Sequence, residues 1–235
     1  MSKGKLYIVP INISESSLDK VLPDFNKKTV SVLRFFVVEK IKTARQFLKK
    51  MDRTFPIDDS VFFELDKHNN YSFQMEILDE LKAGNDVGLM SESGYPAIAD
   101  PGSQIVSMCQ YSGIEVVPLV GPSSILMALA ASGMNGNGFT FNGYLPKKDP
   151  ERSKELKNIV TTIVKTSFAQ IFIETPYRNE TIFEDFLKYA HSDLKLCVAY
   201  DVTGPAEKII TKSIEDWQKG KFQFDKTPCV FVLGN

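Results

Sequence analysis

Histidine and cysteine are scarce in this chain. Its 235 residues include two histidines, His68 and His191, and three cysteines, Cys109, Cys197 and Cys229. No Cys/His cluster has metal-ligand spacing, so no metal site is expected, and a histidine-based triad would have to be assembled from almost nothing. The odd, widely spaced cysteines read as reduced, buried thiols of a cytoplasmic protein rather than a disulfide framework. Neither sign of charge is in excess: 28 basic against 29 acidic residues leave a net charge of -1. That excludes a polybasic nucleic-acid tail and an acidic disordered tail, but not a local basic face. Long apolar runs are missing too. The longest, 125–131, is far too short to span a bilayer, and the N-terminus has no signal-peptide hydrophobic stretch, so no membrane partner is expected. The dinucleotide fingerprint G-x-G-x-x-G, the Walker P-loop and the Gly-x-Ser-x-Gly elbow are all absent. The nearest approach, Gly133, Gly136 and Gly138, has the wrong order and follows a helix.

What is present is a core. Hydrophobic residues make up 43% of the chain, enough for one large domain or two modest ones. Apolar, β-prone stretches are expected as strands at 5–9, 29–38, 61–65, 87–90 and 114–117. Helical periods fall between them: a short helix after Ser16-Ser17, then 39–51, 71–82 and 102–112. This alternation is the α/β pattern of a mainly parallel sheet flanked by helices. Residues 118–122 read as a hinge, so the expected domains are 1–117 and 118–235. The second half reads as a small-residue helix 123–132, an aromatic strand 139–141, helix 155–166, strand 169–173, helix 178–189, strand 194–200 and a final strand 229–233.

Two rigid loops follow predicted strands. Residues 91–102 carry Gly94, which lets the backbone approach a ligand, and Pro96 and Pro101, which stiffen it. Ligands of open α/β sheets bind beyond such strand ends. Asp100, ahead of Pro101, is expected to cap the next helix. The second loop, Leu119-Val120-Gly121-Pro122-Ser123-Ser124-Ile125, runs into a helix whose first N–H groups suit a polar ligand or a capped elbow. Lys42, Arg45, Lys49 and Arg53 share one helix face, either a solvated surface or a phosphate-contacting one. Phe139, Phe141 and Tyr144 are expected in sheet core rather than around a cavity.

These segments, in order, resemble the tetrapyrrole methylase family of S-adenosylmethionine-dependent methyltransferases, closest to its ribosomal RNA small-subunit 2'-O-methyltransferase branch. The carriers are Leu6-Tyr7-Ile8-Val9, the loop 91–102, Val116-Val117-Pro118-Leu119-Val120-Gly121-Pro122-Ser123-Ser124, Ala131-Ser132-Gly133, Phe139-Thr140-Phe141-Asn142-Gly143-Tyr144-Leu145-Pro146, Phe172-Ile173-Glu174-Thr175-Pro176-Tyr177-Arg178 and the terminal strand. The resemblance implies two α/β domains, each with a mixed or mainly parallel sheet, a cofactor cleft between them, and a homodimer. It implies an S-adenosylmethionine site using Ser93, Gly94, Tyr95 and Ile98, then Ser124 and Ile125, and backbone near Ile173, Glu174, Thr227 and Pro228. The sequence also departs from the pattern. The family's Pro-x-Gly-Asn first loop is here Asn12-Ile13-Ser14-Glu15. The branch's acidic-Asp-Thr-Arg stretch is Glu39-Lys40-Ile41-Lys42, and its Arg-Glu-Leu-Thr-Lys is Tyr200-Asp201-Val202-Thr203-Gly204.

No single catalytic residue emerges. Polar candidates are Glu39, His68, Glu92, Glu174 and Arg178. Glu92 and Glu174 follow apolar strands, where partial burial would fit a carboxyl for base work. Arg178 either pins the Glu174 loop or touches substrate. Three functions stay open. An RNA 2'-O-methyltransferase would use Lys42, Arg45, Lys49 and Arg53 with Lys147, Lys148, Arg152 and Lys154 as its footprint on ribosomal RNA. A small-molecule methyltransferase, acting on a tetrapyrrole for instance, would need a large apolar cavity. A non-catalytic donor-binding module would work through partners.

Overall fold

A computed structural model describes residues 2–65 and 73–235. His68 and the expected helix start at Tyr71 lie outside the described residues. The chain divides into two compact units, Met1–Ser123 and Ser124–Asn235, so the Gly121-Pro122 turn belongs to the first.

The first unit is built on five described strands: β1 (Leu6–Ile8), β2 (Phe35–Val38), β3 (Val61–Glu64), β4 (Val87–Met90) and β5 (Val116–Pro118). They pair in the order β3-β2-β4-β1-β5, every pair parallel. Parallel neighbours need crossovers, and helices supply them. On one face lie α1 (Leu18–Val21), α2 (Asp24–Ser31) and α3 (Ile41–Met51), around a core that includes Phe36, Phe47, Leu48 and Phe55. On the other lie α4 (Gln74–Ala83) and α5 (Ser103–Tyr111), around Leu6, Ile77, Leu81, Leu89 and Ile105. Helix α3 follows its sequence pattern: Ala44, Phe47, Leu48 and Met51 point inward at helical spacing. Helix α4 ends at Gly84, whose φ of 100° is a left-handed stop.

The single strand expected over 29–38 is instead the last turn of α2, a bend and β2. Asn26 and Val30, four residues apart, are both buried on one side of α2. Pro23 stands at the helix start and cannot extend a central strand. An apolar run crossing a helix end and a strand hides both periods.

The second unit contains α6 (Ser124–Ser132), β6 (Phe139–Phe141), α7 (Glu151–Thr166), β7 (Ala169–Glu174), α8 (Asn179–Tyr189), β8 (Lys195–Tyr200), β9 (Lys208–Ser213), α9 (Ile214–Gln218) and β10 (Cys229–Gly234). Its sheet order is β6-β7-β10-β8-β9. Only β6 and β7 pair in parallel among these strands. Strand β10 is buried along its whole length, as a central strand must be when both faces are covered. Helix α6 covers one face with Ile125, Ala128 and Leu129. Helices α7, α8 and α9 cover the other. Trp217 fills that side with 1% exposure and donates its indole N–H to Leu196 O at 2.8 Å.

Three elements here differ from the sequence expectation. Strand β9 and helix α9 had not been expected. Strand β9 is an edge strand with Lys208 and Lys212, and only its pairing with β8 makes it a strand. Helix α9 has a legible start, since the Ser213 hydroxyl accepts the Asp216 N–H at 3.1 Å. Helix α7 begins at Glu151, earlier than the expected 155, because Asp149 Oδ1 accepts the Ser153 N–H at 3.2 Å ahead of the apolar stripe.

All three cysteines are free and buried. Burial pushes the Cys109 thiol up to about 11 and raises those of Cys197 and Cys229. Iodoacetamide at pH 8 should therefore label none of them in the folded protein and all three in denaturant. Mass spectrometry reads this, and fast labelling of the native protein would contradict the buried placement.

Candidate functional site

Strands β1 and β4 are neighbours, yet their chains leave on opposite faces. After β1 the chain passes to α1 and α2, and after β4 to α5. That divergence is a topological switch point, and it leaves a crevice at the carboxyl ends of the two strands. The loop after β1 and the loop 91–102 meet there. The Val9 N–H donates to Leu89 O at 2.8 Å and the Ile11 N–H to Gly94 O at 2.9 Å. The Ser93 hydroxyl donates to Ile13 O at 3.2 Å. On the far side of β1, the Leu119 N–H donates to Ile8 O at 3.0 Å. Gly121 lies so close to Pro10 that a Cβ there would sit 2.2 Å from the ring carbons.

Loop 91–102 is an unusual backbone. Gly94 and Gly102 have φ of 67° and 124°, and Ala97 and Ala99 have φ of 64° and 62°. Alanine pays roughly 1–2 kcal/mol for a left-handed conformation, so the surrounding contacts must impose it. Part of the restraint is Tyr95, whose hydroxyl donates to Leu119 O at 2.9 Å and whose ring packs on the core. Ile98 stays 48% exposed. Asp100 is not the N-cap residue of α5: the helix starts at Ser103 with Gly102 at its N-cap, and Asp100 and Pro101 lie in the bends before it. Gly102 passes close to the Leu89 side chain, which a Cβ there would meet at 3.0 Å.

Glu92 is held from α3. Its carboxylate pairs with Lys40 and accepts the Thr43 hydroxyl at 2.9 Å. Glu174, in the second unit, is 3% exposed. Its Oε1 accepts the Thr175 N–H at 2.8 Å, and its Oε2 stands 3.3 Å from Arg178 in an ion pair. Arg178 also donates to Leu145 O at 3.0 Å and Pro146 O at 3.2 Å. These contacts suit anchoring of loops rather than proton transfer by either carboxylate. Glu39 has neighbours of its own and sits just before α3.

The second unit brings four expected residues together. Glu174 pairs across the sheet with Cys229 and Ile173 with Val230, so Thr227 and Pro228 enter β10 next to the end of β7 at Glu174. Asn179 donates to Thr227 O at 2.8 Å, and the Asp201 N–H reaches Pro228 O at 3.4 Å. Ser124 and Ile125 open α6, and Ile125 packs in the same cluster as Ile173. The expected site residues thus form two groups: Ser93, Gly94, Tyr95 and Ile98 in the first unit, and Ser124, Ile125, Ile173, Glu174, Thr227 and Pro228 in the second. Sequence reasoning missed Pro10, Ile11 and Thr43, whose roles arise from contacts between distant segments. The departure at position 204 has a steric counterpart. A Cβ on Gly204 would meet the Asp201 carboxylate at 2.1 Å, in a turn where Asp201 and Thr203 have φ of 50° and 70°.

The basic surface is smaller than expected. Lys42, Arg45, Lys49 and Arg53 are exposed, as are Lys147, Lys148 and Lys154. Arg152 is not: it is buried, paired with Asp185 and with Asp149 at 3.1 Å, and it donates to Lys147 O at 2.8 Å. Its position in α7 faces α8, where the acidic partner stands. The core assignment of the aromatics also fails for two of three. Phe139 is 40% exposed on the edge strand β6 and Tyr144 is 54% exposed in the bend after it, while Phe141 packs on the core. No group of three or more His, Cys, Asp and Glu able to hold a metal is found among the described residues. No described helix is long and apolar enough to cross a membrane.

The family model described as Tetrapyrrole (Corrin/Porphyrin) Methylases matches residues 25–218. The chain belongs to this methyltransferase family. It is 32% identical over 204 residues to the "Ribosomal RNA small subunit methyltransferase I" of Vibrio cholerae, covering 87% of this chain and 67% of that protein. The protein of the same name from Haemophilus influenzae is 33% identical over 66% of this chain and 55% of its own length. The match thus spans between about half and two thirds of these relatives. Among solved structures, uroporphyrin-III C-methyltransferase from Thermus thermophilus complexed with S-adenosyl homocysteine aligns with a TM-score of 0.57 at 15% identity, over 99% of this chain and 98% of that one. At that identity the likeness concerns the fold, a two-unit α/β methylase architecture.

The methylase fold makes one position a direct test of the loop geometry. Gly121→Ala should drive the Pro10 and Gly121 segments apart and lower stability by about 1–3 kcal/mol, the usual cost of overpacking. Urea unfolding measures it, and an unchanged midpoint would contradict the close approach.

Proposed function

We propose that this chain is an S-adenosylmethionine-dependent methyltransferase acting on small-subunit ribosomal RNA, at a ribose 2'-hydroxyl. One observation carries the donor part: a rigid loop of small residues with four left-handed positions, held at the switch point of a parallel sheet. Its chemistry fits the donor. Adenine, ribose and an amino-acid end need many short main-chain contacts, and Ser93, Gly94 and Tyr95 present backbone with little side chain in the way. A Cβ on Gly94 would point between Ile13 and Pro122 O, 3.7 Å from each. The second group of residues, Ser124, Ile125, Ile173, Glu174, Thr227 and Pro228, completes the proposed donor contacts. The names of the relatives support the RNA part, together with the exposed basic face of α3.

When bound, the donor supplies a methyl group already activated on sulfur. The chain has to hold the acceptor oxygen in line with it, and such positioning contributes about 7–11 kcal/mol. Arg178 and Glu174 fix the loop at 145–146, and Lys40 and Thr43 fix Glu92 beside Ser93. Lys42, Arg45, Lys49 and Arg53 attract the phosphate backbone. A homodimer belongs to this proposal, and the exposed apolar side of α6 at Leu126 and Met127 supports it.

Calorimetric titration with S-adenosylmethionine and S-adenosylhomocysteine tests the donor site. Saturable binding is expected, and it should vanish in Gly94→Trp while circular dichroism stays native. No binding by folded wild-type protein would contradict the reading. For RNA, affinity should fall with salt by about 0.7 log units per log unit for each phosphate contacted. Replacing Lys42, Arg45 and Lys49 by Glu should remove most of that dependence. Salt-independent binding would instead favour a small acceptor stacked on exposed Phe139 and Tyr144.

A further inference from the structure

Two asparagines share an arrangement that no motif announces. Asn26, in α2, is 1% exposed, and Asn179, opening α8, is fully buried. Each donates its amide N–H to a main-chain carbonyl far away in sequence: Asn26 to Val120 O at 2.7 Å, and Asn179 to Thr227 O at 2.8 Å. In each, the amide oxygen is buried without a hydrogen-bond partner. A buried polar atom left unpaired is costly, and a native structure that keeps one calls for an explanation. Here the same costly arrangement occurs once in each unit. Each time, the bond ends on a loop that leads to residues of the proposed donor site.

The loops need holding. Val120 is 72% exposed and precedes Gly121-Pro122 and the start of α6. Thr227 and Pro228 end a stretch without regular structure, and Pro228 has no N–H to offer to the sheet. A single side-chain donor fixes the orientation of each peptide plane from the core side.

We propose that Asn26 and Asn179 are positioning residues. Each clamps one loop, at 119–122 and at 225–228, in the shape that receives the methyl donor. This rests on the donor reading of those loops. The clamps act through Val120 and Thr227 and touch no ligand. Val120 is 72% exposed and Thr227 half-buried, so water can replace the lost amide and removing a clamp should cost little stability. Leucine has the branched shape of asparagine with bulkier ends, and it removes the unpaired oxygen, which offsets the lost bond.

The test is calorimetric titration of wild type, Asn26→Leu and Asn179→Leu with S-adenosylhomocysteine, alongside thermal melting. Each variant should bind about tenfold more weakly, as the loss of one ordering hydrogen bond implies. Each should melt within about 4 °C of wild type. Any variant that fails to fold is replaced by Asn26→Ser or Asn179→Ser, which keeps a small polar group and should bind as weakly. Wild-type affinity in folded variants would overturn the proposal and leave the donor site standing. A merely structural role would lower melting and leave affinity below the transition unchanged, which also overturns it. Absence of binding by wild type itself would overturn the donor reading and this proposal together.

Discussion

Strands β1 and β4 lie side by side and parallel, and their chains leave the sheet on opposite faces. Right-handed crossovers impose that arrangement once β2 and β3 lie on one side of the pair and β5 on the other. The loops that follow the two strands cannot run away together, so they open a crevice. They are then tied across it by the Ile11 N–H to Gly94 O bond. Much of the local sequence answers to this constraint. Glycine stands at 121 because Pro10 occupies the space of its Cβ. Ala97 and Ala99 take left-handed backbone in the loop that turns from β4 into α5, where contacts such as Tyr95 Oη to Leu119 O hold the chain.

The second unit reaches a similar end by different means. Strand β10 is inserted antiparallel between β7 and β8, so Cys229 has Glu174 on one side and Tyr200 on the other. The segment entering β10 is therefore placed beside the segments leaving both neighbours. Buried Glu174 with Arg178, and Asp201 in its tight turn, surround Thr227 and Pro228 with fixed groups. In both units the ends of central strands gather polar main chain, while apolar residues fill both faces of the sheet behind it.

Where a period is clean, the sequence is legible. Helix α3 and strands β4 and β10 appear as expected, because burial on one face or both writes a simple pattern. The loops 91–102 and 119–125 stand out through glycine, proline and serine at strand ends, and the structure places them there. The remainder depends on contacts that no local pattern encodes. The run 29–38 joins a helix to a strand. Strand β9 exists through its pairing with β8. Arg152 looks like one more surface cation until Asp185 arrives from α8. Asn26 and Asn179 look like ordinary polar residues, and only their burial distinguishes them.

The central claim is methyl transfer from S-adenosylmethionine to a ribose of small-subunit ribosomal RNA. Its most direct measurement uses donor carrying an isotopically labelled methyl group, purified wild-type protein, and small-subunit particles or their RNA from cells lacking this protein. Nucleoside mass spectrometry then locates the label. The account predicts one labelled 2'-O-methyl nucleoside at a single position. Label on a base, label on a small-molecule acceptor alone, or no transfer by protein that binds the donor would contradict it.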